Sequence, residues 1–160
     1  MLLSSGCAPS RVSVMQNLAP LEHPVKTIAL APSGGVLADS IGLELFGNNF
    51  RVVDTQQTSN ILVRLNLNEL EIMEPKSMAA LKERGIDAIL LVRSVAGYDN
   101  LPQSASVRVI STSSFNLVAG VSWQNGRGGV QGSPADRGMR KDVVEAAQEI
   151  SRALIKQLNR

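Results

Sequence analysis

Few residues in this 160-residue chain can carry covalent or metal chemistry. There is one cysteine, Cys7, and one histidine, His23. A lone thiol makes no internal disulfide and no thiolate-rich metal site, and a lone histidine leaves no partner for the usual metal ligand sets. His23 stands beside Pro24 in a stretch without periodicity and reads as a solvated linker residue, since a catalytic base needs a rigid support. Among hydroxyls, Ser33 lies in Pro32-Ser33-Gly34-Gly35, a turn between an apolar run and a helical pattern. It lacks the Gly-x-Ser-x-Gly elbow and a histidine base, which argues against hydrolysis. Backbone N–H groups and a helix dipole at such a turn can hold an anion, so Ser33, Gly34 and Gly35 form a candidate ligand turn. Neither phosphate-loop nor dinucleotide spacing is present, and a plain tight turn explains the same residues. Glu69, Glu71 and Glu74 offer carboxylates, but solvated charges near a helix start account for them without a metal. No catalytic residue, metal or cofactor is expected.

The remaining chemistry is charge. Sixteen basic and 14 acidic side chains leave a net +2, and aromatics are 3% of residues, a poor basis for nucleic-acid binding or base stacking. The balance is nonetheless polarised: residues 1–92 carry 7 basic and 9 acidic side chains, and residues 93–160 carry 9 and 5. Arg127, Arg137, Arg140 and Lys141 gather in a glycine-rich loop and the first turns of the last helix, where positive charge opposes the macrodipole. They are either ordinary solvated surface or a contact for an acidic partner, anionic lipid head groups or cell-wall polymer, with the mobile loop 126–132 adapting to it.

The elements that position these residues follow from periodicity. Thr27-Ile28-Ala29-Leu30-Ala31 is a strand-length apolar run, and Leu37, Ile41 and Leu45 then repeat at helical spacing before Gly47-Asn48-Asn49. Arg51-Val52-Val53-Asp54 completes a βαβ unit whose strands are expected to be parallel. Between residues 58 and 73 the pattern is mixed: Ile61, Leu62 and Leu65 fit a short helix capped near Ser59, while Leu65 and Leu67 also alternate with Asn66 and Asn68, and a helix is expected. Pro75 opens a second helix closed by Gly85. Ala88-Ile89-Leu90-Leu91-Val92 is unbroken and apolar, as a central strand covered on both faces would be. Alternation around Val107 and Val109, and from Leu117 to Trp123, predicts an antiparallel hairpin with Trp123 on its covered face, and an exposed hairpin edge that can pair with another copy or a partner strand. The final helix is expected to run from a cap at Ser133 or Asp136 to about Leu158, its stripe formed by Met139, Val143, Ala147, Ile150, Leu154 and Leu158. The fold class is α/β (α+β): a single mixed sheet of four to five strands with packed helices, including the long C-terminal one.

At the other end, Met1-Leu2-Leu3-Ser4-Ser5-Gly6-Cys7 resembles the end of a bacterial lipoprotein signal, in which small residues precede a cysteine that receives a diacylglyceryl group. The position three before the cysteine, commonly Leu, is Ser4. Either residues 1–7 are the remnant of a longer signal, with Cys7 as the lipidation site, or Cys7 is a plain thiol in a tail. Ala8 after the cysteine favours the outer membrane. Residues 8–24, with Pro9, Pro20 and Pro24, read as a flexible tether able to span about 50 Å, followed by one domain over 25–160. No run approaches the length of a membrane-spanning helix, so membrane attachment is expected through the lipid only.

With this order of elements, the phrases Ile28-Ala29-Leu30-Ala31-Pro32, Ala38-Asp39-Ser40-Ile41-Gly42, Phe50-Arg51-Val52-Val53-Asp54 and Gly85-Ile86-Asp87-Ala88-Ile89-Leu90 resemble the periplasmic lipoprotein domains of the CsgG / LpoB / TolB N-terminal-like family. The resemblance implies a non-enzymatic assembly factor or regulator at the periplasmic face of the outer membrane, acting through an envelope protein partner. Nothing resembles the long membrane hairpins of the pore-forming member. The alternative is a small-ligand or anion-binding domain using Pro32–Gly35.

Overall fold

A computed structural model describes residues 6–160; Met1–Ser5, most of the signal-like segment, lie outside the described residues. The first departure from expectation comes early. Residues 11–14, inside the stretch read as a tether, form strand β1 (Arg11–Val14), which pairs antiparallel with the last strand of the chain. The physical reason is alternation: Val12 and Val14 stand opposite Trp123 and Val121, extending the apolar face over the indole, while Arg11 and Ser13 point to the other side. Ala8 is fixed further back by two backbone hydrogen bonds with Arg127, of 2.8 and 2.9 Å.

The βαβ unit follows as expected. Strand β2 (Thr27–Leu30), helix α1 (Gly35–Gly47) and strand β3 (Arg51–Val53) bring β2 and β3 side by side in parallel. Helix α2 (Thr55–Arg64) starts earlier than the cap at Ser59 predicts, because the Asp54 carboxylate accepts the Gln57 N–H at 2.7 Å. Helix α3 (Pro75–Glu83) ends ahead of Gly85, whose φ of 80° no side-chain-bearing residue adopts readily. Strands β4 (Ala88–Ala96), β5 (Pro102–Ser111) and β6 (Leu117–Gln124) form an antiparallel meander, with β4 also parallel to β2.

The final helix is two helices. Helix α4 (Pro134–Met139) stops at Arg140, whose backbone turns extended, and α5 (Val143–Leu158) begins afresh with Asp142 and Glu145 satisfying each other's backbone N–H groups. Among the described residues the sheet therefore has six strands, in the order β1-β6-β5-β4-β2-β3, against the four to five expected. The added strand is β1, so the hairpin's β6 is an interior strand and its edge is already paired.

Helices α1 and α5 cover one face of the sheet. Ile41, Leu45, Ile150 and Leu154 are fully buried there against Leu30, Leu90, Val107, Val121 and Trp123, each apolar side chain contributing about 2 kcal/mol. Helices α2 and α3 cover part of the opposite face through Leu62, Met78 and Leu81 against Ala29, Ile89 and Ile110. Their coverage ends at Leu91, and the rest of that face is bare.

Candidate functional site

The basic cluster does not form as a free surface. Arg140 is buried, and its guanidinium grips both carboxylate oxygens of Asp99 at 2.5 and 2.8 Å and donates to Gln103 at 2.8 Å. The face of Tyr98 lies 5.1 Å from it. The Asp99 carboxyl is held below its ordinary range by the Arg140 hydrogen bond, against the effect of burial. Lys141 is engaged too, pairing with Glu149, whose carboxylate also accepts the Trp123 indole N–H at 2.7 Å and the Ser10 hydroxyl at 3.0 Å. Burial disfavours the Glu149 charge, but Lys141, Trp123 and Ser10 together outweigh it and lower its pKa. Only Arg127 and Arg137 remain exposed from the four cations the sequence brings together.

The glycine-rich loop is held by hydrogen bonds to one carboxylate. Asp136, buried, accepts the Tyr98 hydroxyl at 2.6 Å, the Gly128 N–H at 2.9 Å and the Gly132 N–H at 3.0 Å. The hydroxyl and then the two amides lower its pKa to about 2. Ser133 supplies the cap of α4, accepting the Asp136 N–H at 3.2 Å. A Cβ on Gly128 would stand 2.3 Å from the Ala135 carbonyl oxygen, so glycine is needed for close backbone approach. This region is a structural joint between the β4–β5 turn and the start of α5.

At the candidate ligand turn, Pro32–Gly34 is a single 3-10 turn leading into α1. The Ser33 N–H donates to the Glu69 carboxylate at 2.6 Å, and the Gly34 N–H to the Ala31 carbonyl at 3.1 Å. An anion does sit at the turn, and it is the chain's own Glu69. Gly35 has φ 64° and open space around it. His23 is exposed, and Cys7 is an exposed free thiol. Among the described residues no group of three His, Cys, Asp or Glu side chains is placed to hold a metal, and no helix is long and apolar enough to cross a membrane.

What the fold does assemble lies at its two edges. Beyond β3, the outer side of α1 forms an open groove of about 450 Å³. It is floored by Leu30, Gly42 and Val52, with Leu43 and Phe46 on its wall and Asp39 and Asp54 as its charges. Leu43 is 73% exposed and Phe46 69%, high for large apolar side chains standing one helical turn apart. Gly42 makes the groove possible, since a Cβ there would meet Leu30 at 2.8 Å. Beyond β1, the outer side of α5 forms a second open groove of about 560 Å³ lined by Val12 and Val14 and by Arg152, Ala153 and Lys156 of the helix, with Arg160 beyond its end; its one carboxylate, Glu149, is the one already paired with Lys141. Sheet order places the two grooves at opposite ends, so the polarity of charge along the sequence becomes a polarity across the molecule, acidic at the β3 edge and basic at the β1 edge. The sequence contained the signals: Leu43 and Phe46 fall off the Leu37-Ile41-Leu45 stripe, and Val12 alternates with Val14.

No family model matches the chain, and no curated protein does. Solved structures do. The chain is similar to the PelC dodecamer from Paraburkholderia phytofirmans, at 12% identity over 93% of this chain and 96% of that one, with a TM-score of 0.51. It is also similar to lipoprotein GNA1162 from Neisseria meningitidis, at 16% identity over 72% and 90%, with a TM-score of 0.50. The likeness establishes the fold, one also found in a bacterial lipoprotein, and that is the level at which the expected resemblance holds.

Proposed function

We propose that the chain is a non-catalytic, lipid-anchored domain at the periplasmic face of the bacterial outer membrane, acting by protein contact in a cell-envelope complex in which its first partner is another copy of itself. The observation that carries this reading is the pair of sheet-edge grooves, each apolar at its floor or wall and opposite in charge. A contact between unlike patches is heterologous, and repeated by a closing rotation it makes a ring. The name under which the similar PelC structure is known, a dodecamer, fits such a contact. Cys7 supplies the anchor, and the domain needs no catalytic group to act in this way.

Two measurements test it. Light scattering after size exclusion at low salt should give a closed oligomer that falls toward monomer at high salt, because the edge charges are exposed and screened. Arg152→Glu with Lys156→Glu should be monomeric at both. A chain that stays monomeric in all conditions overturns the self-contact. Intact mass from membrane fractions, beside Cys7→Ala, should show the added diacylglyceryl and acyl groups only with Cys7 present; an unmodified, unanchored chain overturns the lipid reading.

A further inference from the structure

The sheet face opposite α1 and α5 is bare beyond Leu91, and its composition is unusual. Register places three rows across strands β4, β5, β6 and β1: Leu91, Arg108 and Gly120; Arg93, Ser106, Ser122 and Ser13; and Val95, Ser104, Gln124 and Arg11. Met15 folds over Gly120 at the end of the first row. The patch holds three arginines, four serines and a glutamine, with no carboxylate. Among the described residues the only ion pairs are Arg140–Asp99 and Lys141–Glu149, so Arg11, Arg93 and Arg108 are all uncompensated. Four strands and three rows give a flat area of about 15 by 14 Å.

We propose that this face docks on anionic lipid head groups, laying the domain flat on the bilayer that holds Cys7; the orientation rests on the lipid-anchor reading above. Three observations select a membrane. The charge is of one sign and is spread over a plane, matching a charged plane better than a chain that must enter a groove. Apolar anchors are nearly absent, Val95 being the large exposed one at 61%, whereas protein interfaces concentrate their energy in buried apolar or aromatic hot spots. The anchor is also close: Cys7 is four residues from Arg11, at most about 14 Å of chain, and Ala8 is hydrogen-bonded to Arg127, so the body cannot swing away on a long tether. The acyl chains on Cys7 already hold the chain at the bilayer, so the patch sets how the domain lies on it rather than whether it is attached. Each arginine near an anionic surface is worth about fivefold in partitioning, and three about 100-fold.

The test uses the unacylated chain, Cys7→Ser, so that docking is read without the anchor. Cosedimentation at low salt with phosphatidylglycerol-containing vesicles, against phosphatidylcholine alone, should show binding to the anionic vesicles only. Arg11→Gln, Arg93→Gln and Arg108→Gln combined should lower it about 100-fold. Arg152→Gln, Lys156→Gln and Arg160→Gln combined remove as much charge from α5 and the residues just after it and should lower it only severalfold; melting curves verify that both variants fold. Equal loss from the two triple variants overturns the proposal, because binding would then follow net charge. Binding to soluble polyglutamate through the same three arginines, without vesicle binding, also overturns it and makes an acidic protein the occupant. Vesicle binding by this face in a chain whose Cys7 is unmodified in cells would sink the anchor reading alone.

Discussion

At the scale of single residues, the cations that the sequence groups together are separated by what they pair with. Arg140 and Lys141 are adjacent in the chain, but Arg140 turns inward to an aspartate 41 positions away and Lys141 turns along α5 to Glu149. Composition and position were legible in the sequence; the pairing was not, because Asp99 reaches Arg140 only through the β4–β5 turn. Arg140→Ala leaves Asp99 partly buried without its partner, and unfolding by denaturant should show a loss of about 3 kcal/mol. Arg140→Lys should recover only part of it, since an ammonium cannot span both carboxylate oxygens. The carboxylates also set an acid limit. Asp136 has a folded pKa of about 2, below its ordinary 3.8, and Asp99 and Glu149 are lowered as well. A lowered pKa means that folding favours the charged form, so the stabilisation is complete above about pH 5.5 and fades as pH falls through 4 toward 2. Melting temperature should drop through that window. Asp136→Asn should melt lower at neutral pH and show a shallower acid decline.

At the scale of elements, period was a good guide where one element made its own pattern and a poor one where two did. The β2–α1–β3 unit, the central strand β4 and the covered position of Trp123 were all readable, because each writes its burial into a local repeat. Strand β1 is hidden as four alternating residues among prolines, its partner lying more than 100 positions on. The break between α4 and α5 was hidden for the opposite reason: Met139 continues the spacing of the α5 stripe, although Asp142-x-x-Glu145 was in plain view as a second start signal. The two glycines near this break separate space from flexibility. In α4, Gly138 has nothing within 4 Å of an added Cβ, so Gly138→Ala should raise the melting temperature by about 1–3 °C through helix propensity. Gly128 is pressed on the backbone of Ala135, and Gly128→Ala should lower it by several degrees, reflecting about 2 kcal/mol of overpacking. A mobile loop would absorb the Gly128→Ala change, so a loss there, beside the gain from Gly138→Ala in the helix, shows that the loop is clasped.

At the scale of the whole molecule, the sheet order converts a charge imbalance between chain halves into two unlike ends, which neither half specifies alone. The acidic N-terminal half supplies α1, β3 and the groove holding Asp39 and Asp54, while the basic C-terminal half supplies α5. The imbalance is legible in the sequence, where it points to the glycine-rich loop, but its place is not, because only the topology puts α5 beside β1 at the far edge. Unlike ends make a prediction that like ends do not. Asp39→Lys with Gln56→Lys turns the acidic edge basic, giving a chain with two basic edges; Arg152→Glu with Lys156→Glu gives one with two acidic edges. Each alone should remain monomeric by light scattering, since every edge meets its own sign. Mixed in equal amounts, every contact joins opposite charges again, and assembly should return with the two variants alternating, as mass analysis of a size-tagged pair would reveal. A contact joining one patch to its own copy behaves otherwise: mixing could only make mixed dimers, and one of the two variants would assemble unaided. Recovery of a large alternating particle on mixing therefore requires both edges, and its absence would mean that the charge polarity of the sheet serves a different partner.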